Sequence, residues 1–301
     1  MVFEEFTETV TELVREKMGE DVIVCNQTVQ KNNGVLLTGL CIRKEGVNIA
    51  PTIYLNSLYE QYERRNIGVN YEELDLIVDE IISQYHNFKV DQDIDLEMTL
   101  CFDVMKEHIV YKLINYEQNR ALLEEVPHDR YLDLAIVYYC SVYRDGYGYA
   151  AMLIRDSVMK MWDVTIDEVR QYANRNTPKL FPYRIKSLSQ IAQDLAELKE
   201  LDLECAEDMP RIYVLYTEGY GAGVILYDRI LQDLATAMDS DLLVIPSSIR
   251  EVLVMAYECD AQIAHFNELV KCVNREAVDE EERLSDHVYL YRRDLRELTI
   301  A

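Results

Sequence analysis

A six-residue pattern that occurs twice constrains the fold of this chain more than any other feature of its sequence. The first copy runs from Tyr143 to Gly148 (YRDGYG) and the second from Tyr216 to Gly221 (YTEGYG). Glycine suits a tight turn at these places, because it reaches positive φ angles without steric cost. The duplication therefore predicts two related strand-turn-strand-helix units, over about residues 134–182 and 207–256.

The first hundred residues indicate a small domain that contains a β-hairpin and helices. Apolar residues at helical spacing predict a helix over residues 3–18 and another from Leu74 to Tyr85. Between them, residues 22–30 and 35–42 have the composition of strands. The Asn-Gly pair at 33–34 suits the positive φ angles of a type I′ hairpin, so we expect it to join these strands.

The C-terminal region contains the two repeated units. The continuous apolar run at 134–142 predicts a buried strand. A capping box at 165–168 opens a helix, which Pro178 and Pro182 are expected to end. In the second copy, strands are predicted at 211–216 and at 224–227, and a helix follows them.

A polar, acidic strip from Lys89 to Glu97 is the predicted domain boundary. It gives an N-terminal α+β domain at residues 1–97 and a C-terminal α+β domain at residues 98–301. The predicted fold class is therefore α+β. A small N-terminal α/β-hairpin domain precedes a C-terminal region in which the two duplicated units lie on a mainly antiparallel sheet.

The charge balance limits the kind of partner that the chain can bind. The sequence has 55 acidic and 30 basic residues, a net charge of −25. A field of this sign repels nucleic-acid phosphates and anionic lipids, so direct binding to either is not expected. The excess charge suits solubility, a protein partner with a basic surface, or mimicry of a nucleic acid.

Cysteine usage and the N-terminal sequence predict a cytoplasmic protein. Seven cysteines are scattered along the chain without a Cys-x-x-Cys pair, which favours a reducing compartment over a disulfide framework. The N-terminus is acidic and lacks the regions of a signal peptide. The longest apolar run is well short of the roughly 20 residues that a membrane span needs.

The segment from Gly219 through Tyr220 and Gly221 to Gly223 is the nearest approach to a phosphate-binding loop. A dinucleotide fingerprint requires Gly-x-Gly-x-x-Gly that opens directly into a helix. Here Val224 occupies the last glycine position, and strand-like residues separate the glycines from the next helix. The pattern therefore favours a tight turn, and no cofactor is expected.

No metal site or catalytic motif is predicted. The acidic series Asp91, Asp93 and Asp95 begins like a calcium loop, but Leu96 and Phe102 occupy the positions of its glycine and glutamate. The five histidines lack metal-ligand spacing from one another or from cysteine. Nucleophile-elbow, zinc-protease and Walker patterns are all missing from the sequence.

Two polar clusters are candidate ligand or interaction sites. His128, Asp129 and Arg130 precede the most apolar strand, where they could perform acid–base chemistry or form a solvated ion pair in a strand-entry loop. Ser247 and Ser248 follow a proline, and Ser248 has capping-box spacing from Glu251, which favours a helix cap. Together with Gly219, Tyr220 and Gly221, these residues form the candidate set.

Several short motifs make the sequence resemble a family of unknown function from anaerobic, gut-dwelling bacteria of the Firmicutes type. The resemblance covers nearly the whole chain and implies a bacterial protein without a known activity, cofactor or catalytic residue. It is carried by the Asn-Asn-Gly of the predicted hairpin, Pro51–Leu55, Tyr111–Asn115, Val126–His128, Leu132–Ile136, Met161-Trp162, Asn176–Pro178 and Leu243–Ser248.

Three functional hypotheses follow from the sequence. The leading one is a non-enzymatic protein-interaction module that uses an acidic, tyrosine-rich surface, since 22 tyrosines accompany the negative charge. The alternative is an enzyme or small-ligand-binding protein with its site between the two repeats. The third is a nucleic-acid mimic.

Overall fold

A computed structural model describes residues 1–44, 50–65, 71–87, 100–145, 148–191, 193, 211–219, 221–246 and 248–301. The chain divides into two compact units, one made of residues 1–31 and 35–95 and the other of residues 32–34 and 96–301. The strip from Lys89 to Glu97, the predicted boundary, lies outside the described residues, as do Asp91, Asp93 and Asp95.

The first unit is a three-stranded antiparallel sheet covered by helices. The strands β1 (Val22–Gln30), β2 (Leu36–Lys44) and β3 (Thr52–Tyr54) lie in the order β1-β2-β3. Three helices pack on the sheet: α1 (Phe3–Met18), α2 (Leu55–Arg65) and α3 (Tyr71–Asn87). Their core consists of side chains at the predicted helical spacing, among them Phe6, Val10, Val14, Leu74 and Val78.

The hairpin between β1 and β2 is confirmed, although its loop is longer than a two-residue turn. Gln30 pairs with Leu36, so the loop comprises residues 31–35. Asn33 and Gly34 both have the positive φ angles that the sequence indicated, 59° and 73°.

In the second unit, a small antiparallel sheet is built around one long strand. This strand is β6 (Leu134–Asp145). It pairs on one side with β4 (Ile109–Asn115), and on the other with β5 (His128–Tyr131) and β7 (Gly148–Leu153). Two one-turn helices, α4 (Phe102–Met105) and α5 (Arg120–Leu123), lie before and after β4.

Two further helices follow β7. They are α6 (Asp156–Trp162) and α7 (Ile166–Leu180). The predicted capping box at the start of α7 is present, because the Thr165 N–H donates to Glu168 Oε2 at 2.9 Å. Of the two prolines predicted to end this helix, Pro178 lies inside its last turn, so that part of the prediction is wrong. The helix ends at Leu180 with Phe181 as its cap, directly before Pro182, as the restriction on the residue before a proline predicts.

Side chains of α7 satisfy backbone groups of β4 and of the turn that precedes it. Thr177 Oγ1 accepts the N–H of Tyr111 at 3.0 Å, and Asn176 Nδ2 donates to the carbonyls of Lys106 and Ile109. Both α7 side chains are buried. Buried backbone groups need partners, and this requirement accounts for the polar pair in an otherwise apolar setting.

The larger sheet of the second unit has six antiparallel strands: β8 (Arg184–Ser187), β9 (Tyr213–Tyr216), β10 (Leu242–Ile245), β11 (Glu251–Ala256), β12 (Tyr289–Arg292) and β13 (Glu297–Ile300). They lie in the order β13-β12-β10-β11-β9-β8. Helix α9 (Asp260–Glu276) packs on one face through Val270. The opposite face shares one core with the smaller sheet and with α8 (Ile230–Met238).

The predicted fold class, α+β with mainly antiparallel sheets, is confirmed, but the predicted strand after the second glycine turn is wrong. In the first copy, β6 and β7 form a hairpin and α6 follows. In the second copy, residues Gly221–Leu226 form a 3-10 helix between β9 and α8. The two copies therefore share a strand and a later helix, while the segment between them differs.

A close contact between two backbone segments explains why the second copy does not form a hairpin. A Cβ atom built on Gly221 would lie 1.0 Å from the carbonyl oxygen of Arg250. The neighbouring N–H of Ala222 donates to the carbonyl of Ile249 at 3.0 Å. The glycine therefore permits close contact between two backbones, a use of glycine that a sequence pattern does not distinguish from a turn.

Candidate functional site

A cavity of about 630 Å³ lies in the second unit, at the start of helix α8. Its polar lining includes Tyr131 at the end of β5, Tyr291 on β12, and Arg296 in the turn between β12 and β13. Arg229 and Gln232 contribute from the beginning of α8. Residues distant in sequence thus converge on one site through the pairing of strands and the packing of the two sheets.

Arg229 immediately precedes α8 and has a left-handed backbone, with φ 62°. Its side chain is largely exposed, and Nη2 lies 3.6 Å from Asp233 Oδ1 on the next turn of the helix. This pair is solvent-accessible and weak. The guanidinium group therefore remains accessible to a ligand that enters the cavity.

Arg296 is the second arginine of the cavity, and its backbone is also left-handed, with φ 55°. With the Gln232 amide oriented so that its oxygen faces the guanidinium group, this oxygen accepts from Arg296 Nη2 at 3.2 Å and from Nε at 3.0 Å. The bond fixes the position of the guanidinium group and leaves its positive charge without compensation from an acid at that contact.

Two tyrosines, the partly buried Tyr131 and the buried Tyr291, also line the cavity. Burial raises the pKa of Tyr131, and the neighbouring Tyr291 raises it further. Burial also raises the pKa of Tyr291, while the Arg296 guanidinium acts in the opposite direction. Among the described residues, neither hydroxyl has a hydrogen-bond partner. Both remain neutral donors at physiological pH and can bind a ligand oxygen.

Residues with a left-handed backbone conformation are concentrated around this cavity. Six non-glycine residues of the described chain have positive φ angles. Arg229 and Arg296 line the cavity, and Leu132 directly follows the cavity residue Tyr131. Such conformations cost about 1–3 kcal/mol each and tend to persist at functional sites.

The predicted acid–base cluster is part of a structural ion pair. His128, Asp129 and Arg130 lie in strand β5, and the expectation of a strand-entry loop is wrong. Asp129 accepts from Arg170 of α7 at 2.8 Å (Nε) and 2.6 Å (Nη2), and it also accepts the hydroxyl of Tyr138. The Arg170 guanidinium is the main cause of the lowered pKa of Asp129.

The two residues beside Asp129 contact the aromatic ring of Tyr116. The Arg130 guanidinium lies 4.4 Å from the ring centroid, and the His128 ring lies 6.1 Å from it. His128 Nδ1 is 3.0 Å from the carbonyl oxygen of Val126. These contacts hold β5 and do not bring His128 to Asp129 as a catalytic pair.

The glycine turn and the serine cluster meet at the same place in the second unit. Gly219 has φ 96°, as a turn requires, and Gly221 lies against Arg250. Ser248 Oγ accepts the N–H of Arg250 at 3.0 Å, and strand β11 follows. The predicted helix cap at Ser248 is therefore wrong, because this hydroxyl serves a bend. Tyr220 and Ser247 lie outside the described residues.

A hydrogen-bonded group of side chains around Asp133, the Asp133 cluster, lies at the turn between β5 and β6 and was not predicted. Asp133 accepts from Ser285 Oγ at 2.6 Å and from Tyr289 Oη at 2.7 Å, and His287 Nδ1 is 3.2 Å away. Burial is the main cause of the raised pKa of Tyr289, and Asp133 adds to it. Ser285 bonds to the carboxylate and not to the imidazole, so the geometry does not activate a serine nucleophile.

Clusters of metal-ligating side chains and membrane-spanning helices are both absent from the part of the chain that the structure describes. Within that part, no group of three or more His, Cys, Asp and Glu side chains could hold a metal ion. None of the helices described there combines the length and the apolar character needed to cross a bilayer.

Comparisons with known proteins place the chain in a family without assigning an activity. No curated protein and no solved structure gave a significant match. A family model described as "family of unknown function (DUF5688)" matches residues 3–293. Because this match covers nearly the whole sequence, the chain belongs to the family of unknown function DUF5688.

Proposed function

We propose that the second unit binds a small organic anion, one that has a phosphate or carboxylate group, in the cavity at the start of α8. The observation that carries this proposal is the convergence of two arginines and two tyrosines on one cavity. Guanidinium groups bind phosphate and carboxylate oxygens through paired hydrogen bonds. Tyrosine hydroxyls supply further donors to the same oxygens.

The local charge supports an anionic ligand. The chain as a whole has a net charge of −25, yet the cavity lining has two arginines against one acid, Asp228. The first turn of α8 also lines the cavity, and the amino end of a helix favours negative charge. A locally positive site on an acidic protein attracts a compact anion and repels polyanions such as nucleic acids.

The dimensions of the cavity suit a metabolite. Small-molecule sites commonly have volumes of about 300–1,000 Å³, and the volume of about 630 Å³ lies within this range. The arginines and tyrosines would hold the anionic group, and apolar lining residues such as Ile225 and Leu298 would contact a neutral part of the ligand.

The proposal is tested by thermal denaturation at low ionic strength, with orthophosphate, glycerol 3-phosphate and citrate as probes and chloride as the ionic control. A ligand that binds only the folded state raises Tm in a saturable way. Arg296→Gly removes one guanidinium group from a residue whose φ of 55° suits glycine. This variant should keep the stability of the parent protein and lose the response to the anion.

Arg275→Gln is the matched control, because it removes one positive charge from the exposed surface of α9, outside the cavity. It should retain the full response. The proposal fails if none of the probes raises Tm more than chloride does, or if both variants respond equally.

The acidic interaction surface remains a second candidate function, and the net charge of −25 is the observation that favours it. In this hypothesis the protein is a cytoplasmic module of a gut bacterium and binds a partner with a basic surface. A pull-down at low salt that recovers no partner would count against it. Mimicry of a nucleic acid requires, in addition, that carboxylates follow phosphate spacing along one face.

A further inference from the structure

Two cysteines of the first unit lie directly opposite each other in neighbouring strands. In the antiparallel pair of β1 and β2, the residue that faces Cys25 is Cys41. Residues opposed in this way have Cα atoms about 4.5–5.5 Å apart. A disulfide requires about 4.4–6.8 Å between the Cα atoms, so the backbone already has the spacing that a bond between these thiols needs.

Both thiols lie on the face of the sheet that points away from the core. The flanking pair, Val24 and Ile42, is buried in the core formed with the helices. Because side chains alternate between the faces of a strand, the two cysteines project to the other side. Cys25 is exposed and Cys41 is partly buried, so one thiol is accessible to an oxidant and its neighbour is sheltered.

Burial is the main cause of the raised pKa of the Cys41 thiol, and the nearby Cys25 adds to this effect. This agrees with the strand register, which sets the two residues opposite each other.

We propose that Cys25 and Cys41 form a redox pair that closes into a reversible cross-strand disulfide when the protein meets a peroxide. The thiolate of Cys25 attacks one peroxide oxygen, the O–O bond breaks, and the products are a Cys25 sulfenic acid and one water. The Cys41 sulfur then attacks the sulfenic sulfur, the S–O bond breaks, and a second water leaves.

The two sulfur atoms together lose two electrons, which reduce one hydrogen peroxide molecule to two water molecules. The two thiol protons end in these waters. A dithiol reductant restores both cysteines by thiol–disulfide exchange. Exposure assigns the attacking role to Cys25. The partly buried Cys41 opposite it is then the resolving thiol, because sulfenic acids condense readily with a neighbouring thiol.

Other cysteines provide internal controls. Cys101 and Cys259 are exposed, whereas Cys140 is buried. Within the strand pairings that the structure describes, none of these three faces a second cysteine. Accessibility alone would oxidise Cys101 and Cys259 as readily as Cys25, and only the opposed pair would yield an internal disulfide.

The test is peroxide treatment of the full chain, followed by alkylation and peptide mapping without reductant. The expected product is a linked peptide that contains Cys25 and Cys41, with loss of two free thiols, reversal by dithiothreitol, and a yield unchanged on dilution of the protein. Cys41→Ser should instead leave Cys25 as a sulfenic acid that dimedone traps, and Cys259→Ser should behave like the parent protein.

Two results would overturn the proposal. One is that Cys25 and Cys41 both remain open to alkylation at a peroxide dose that oxidises Cys259. The other is that Cys25 links mainly to a different cysteine or to a second molecule. A loss of fold in the serine variants would be detected by circular dichroism, and the unmodified protein alone still decides between the outcomes.

Discussion

The backbone of Gly221 passes so close to Arg250 that a methyl group on Gly221 would overlap the carbonyl oxygen of Arg250. This contact joins the 3-10 helix Gly221–Leu226 to the segment that enters β11. The same 3-10 helix leads into α8, where Arg229 stands at the cavity. The position of the cavity arginine therefore depends on a contact between two backbones.

Replacement of Gly221 by alanine should destabilise the protein by about 3 kcal/mol or more, because a backbone atom cannot move aside as a side chain can. Gly223→Ala is the matched control in the same 3-10 helix, since its Cβ would meet the Tyr111 ring at 3.3 Å and the ring can shift. Urea unfolding measures both costs. Equal costs for the two variants would contradict the assignment of Gly221 to close backbone contact.

The ion pair between Asp129 and Arg170 should make stability depend on pH in the acid range. The pKa of Asp129 is lowered, chiefly by the hydrogen bonds from Arg170. The pair therefore stabilises the fold above the unfolded pKa of about 3.9, and this contribution is lost as the pH falls through the lower folded value.

Asp129→Asn should cost about 1–2 kcal/mol at neutral pH, an amount that allows for the partial exposure of both side chains. It should also flatten the loss of stability below about pH 4. Urea midpoints between neutral and acid pH measure both effects. Asp294→Asn, in the exposed turn between β12 and β13, is the control and should keep the parent pH profile. An unchanged acid slope in Asp129→Asn would refute the prediction.

The Asp133 cluster should behave as a coupled network. Tyr289 is fully buried and donates its hydroxyl to Asp133 at 2.7 Å. Tyr289→Phe alone should cost about 1 kcal/mol, and Asp133→Asn about 2–3 kcal/mol, because the aspartate is also bonded to Ser285. The double variant should cost less than the sum, with a coupling of about 1 kcal/mol.

A double-mutant cycle measured by urea unfolding checks this coupling. Tyr289→Phe combined with Asp129→Asn is the control, because the hydrogen bonds of these two residues go to different partners. That pair should be additive. Additive costs for Asp133 and Tyr289 would show that the short contact between them contributes no energy of its own.

The parts of the fold with strong local signals were predictable from the sequence. Helix α1 and the hairpin of β1 and β2 follow from apolar spacing and from an Asn-Gly pair. Strand β6 follows from a long apolar run, and the start of α7 from a capping box at Thr165. In each case, residues near in sequence determine the conformation.

Elements set by tertiary contacts were harder to predict. Strand β4 was not among the predicted elements, and its outer edge depends on side chains of α7. The pattern at Gly221 resembled a hairpin turn because glycine serves turns and close contacts equally. The ion pair of Asp129 depends on Arg170, which a local interpretation of residues 128–130 could not supply.

The cavity itself left almost no trace in the sequence. Tyr131 and Tyr291 are far apart in the chain, and sheet packing brings them together. Arg229 and Arg296 stand out only through their left-handed backbones, which arginine rarely adopts and which local sequence does not announce. The high tyrosine content was the one available signal, and it indicated surfaces in general, not a position.

The strand order of the large sheet has a consequence for synthesis on the ribosome. Strand β10 lies between β11 and β12, so residues 242–245 stay unpaired along one edge until residues 289–292 have been made. All the described strands of the first unit lie between residues 22 and 54. A nascent chain can thus complete its first sheet early, while the exposed edge of β10 must wait for nearly the whole message to be translated.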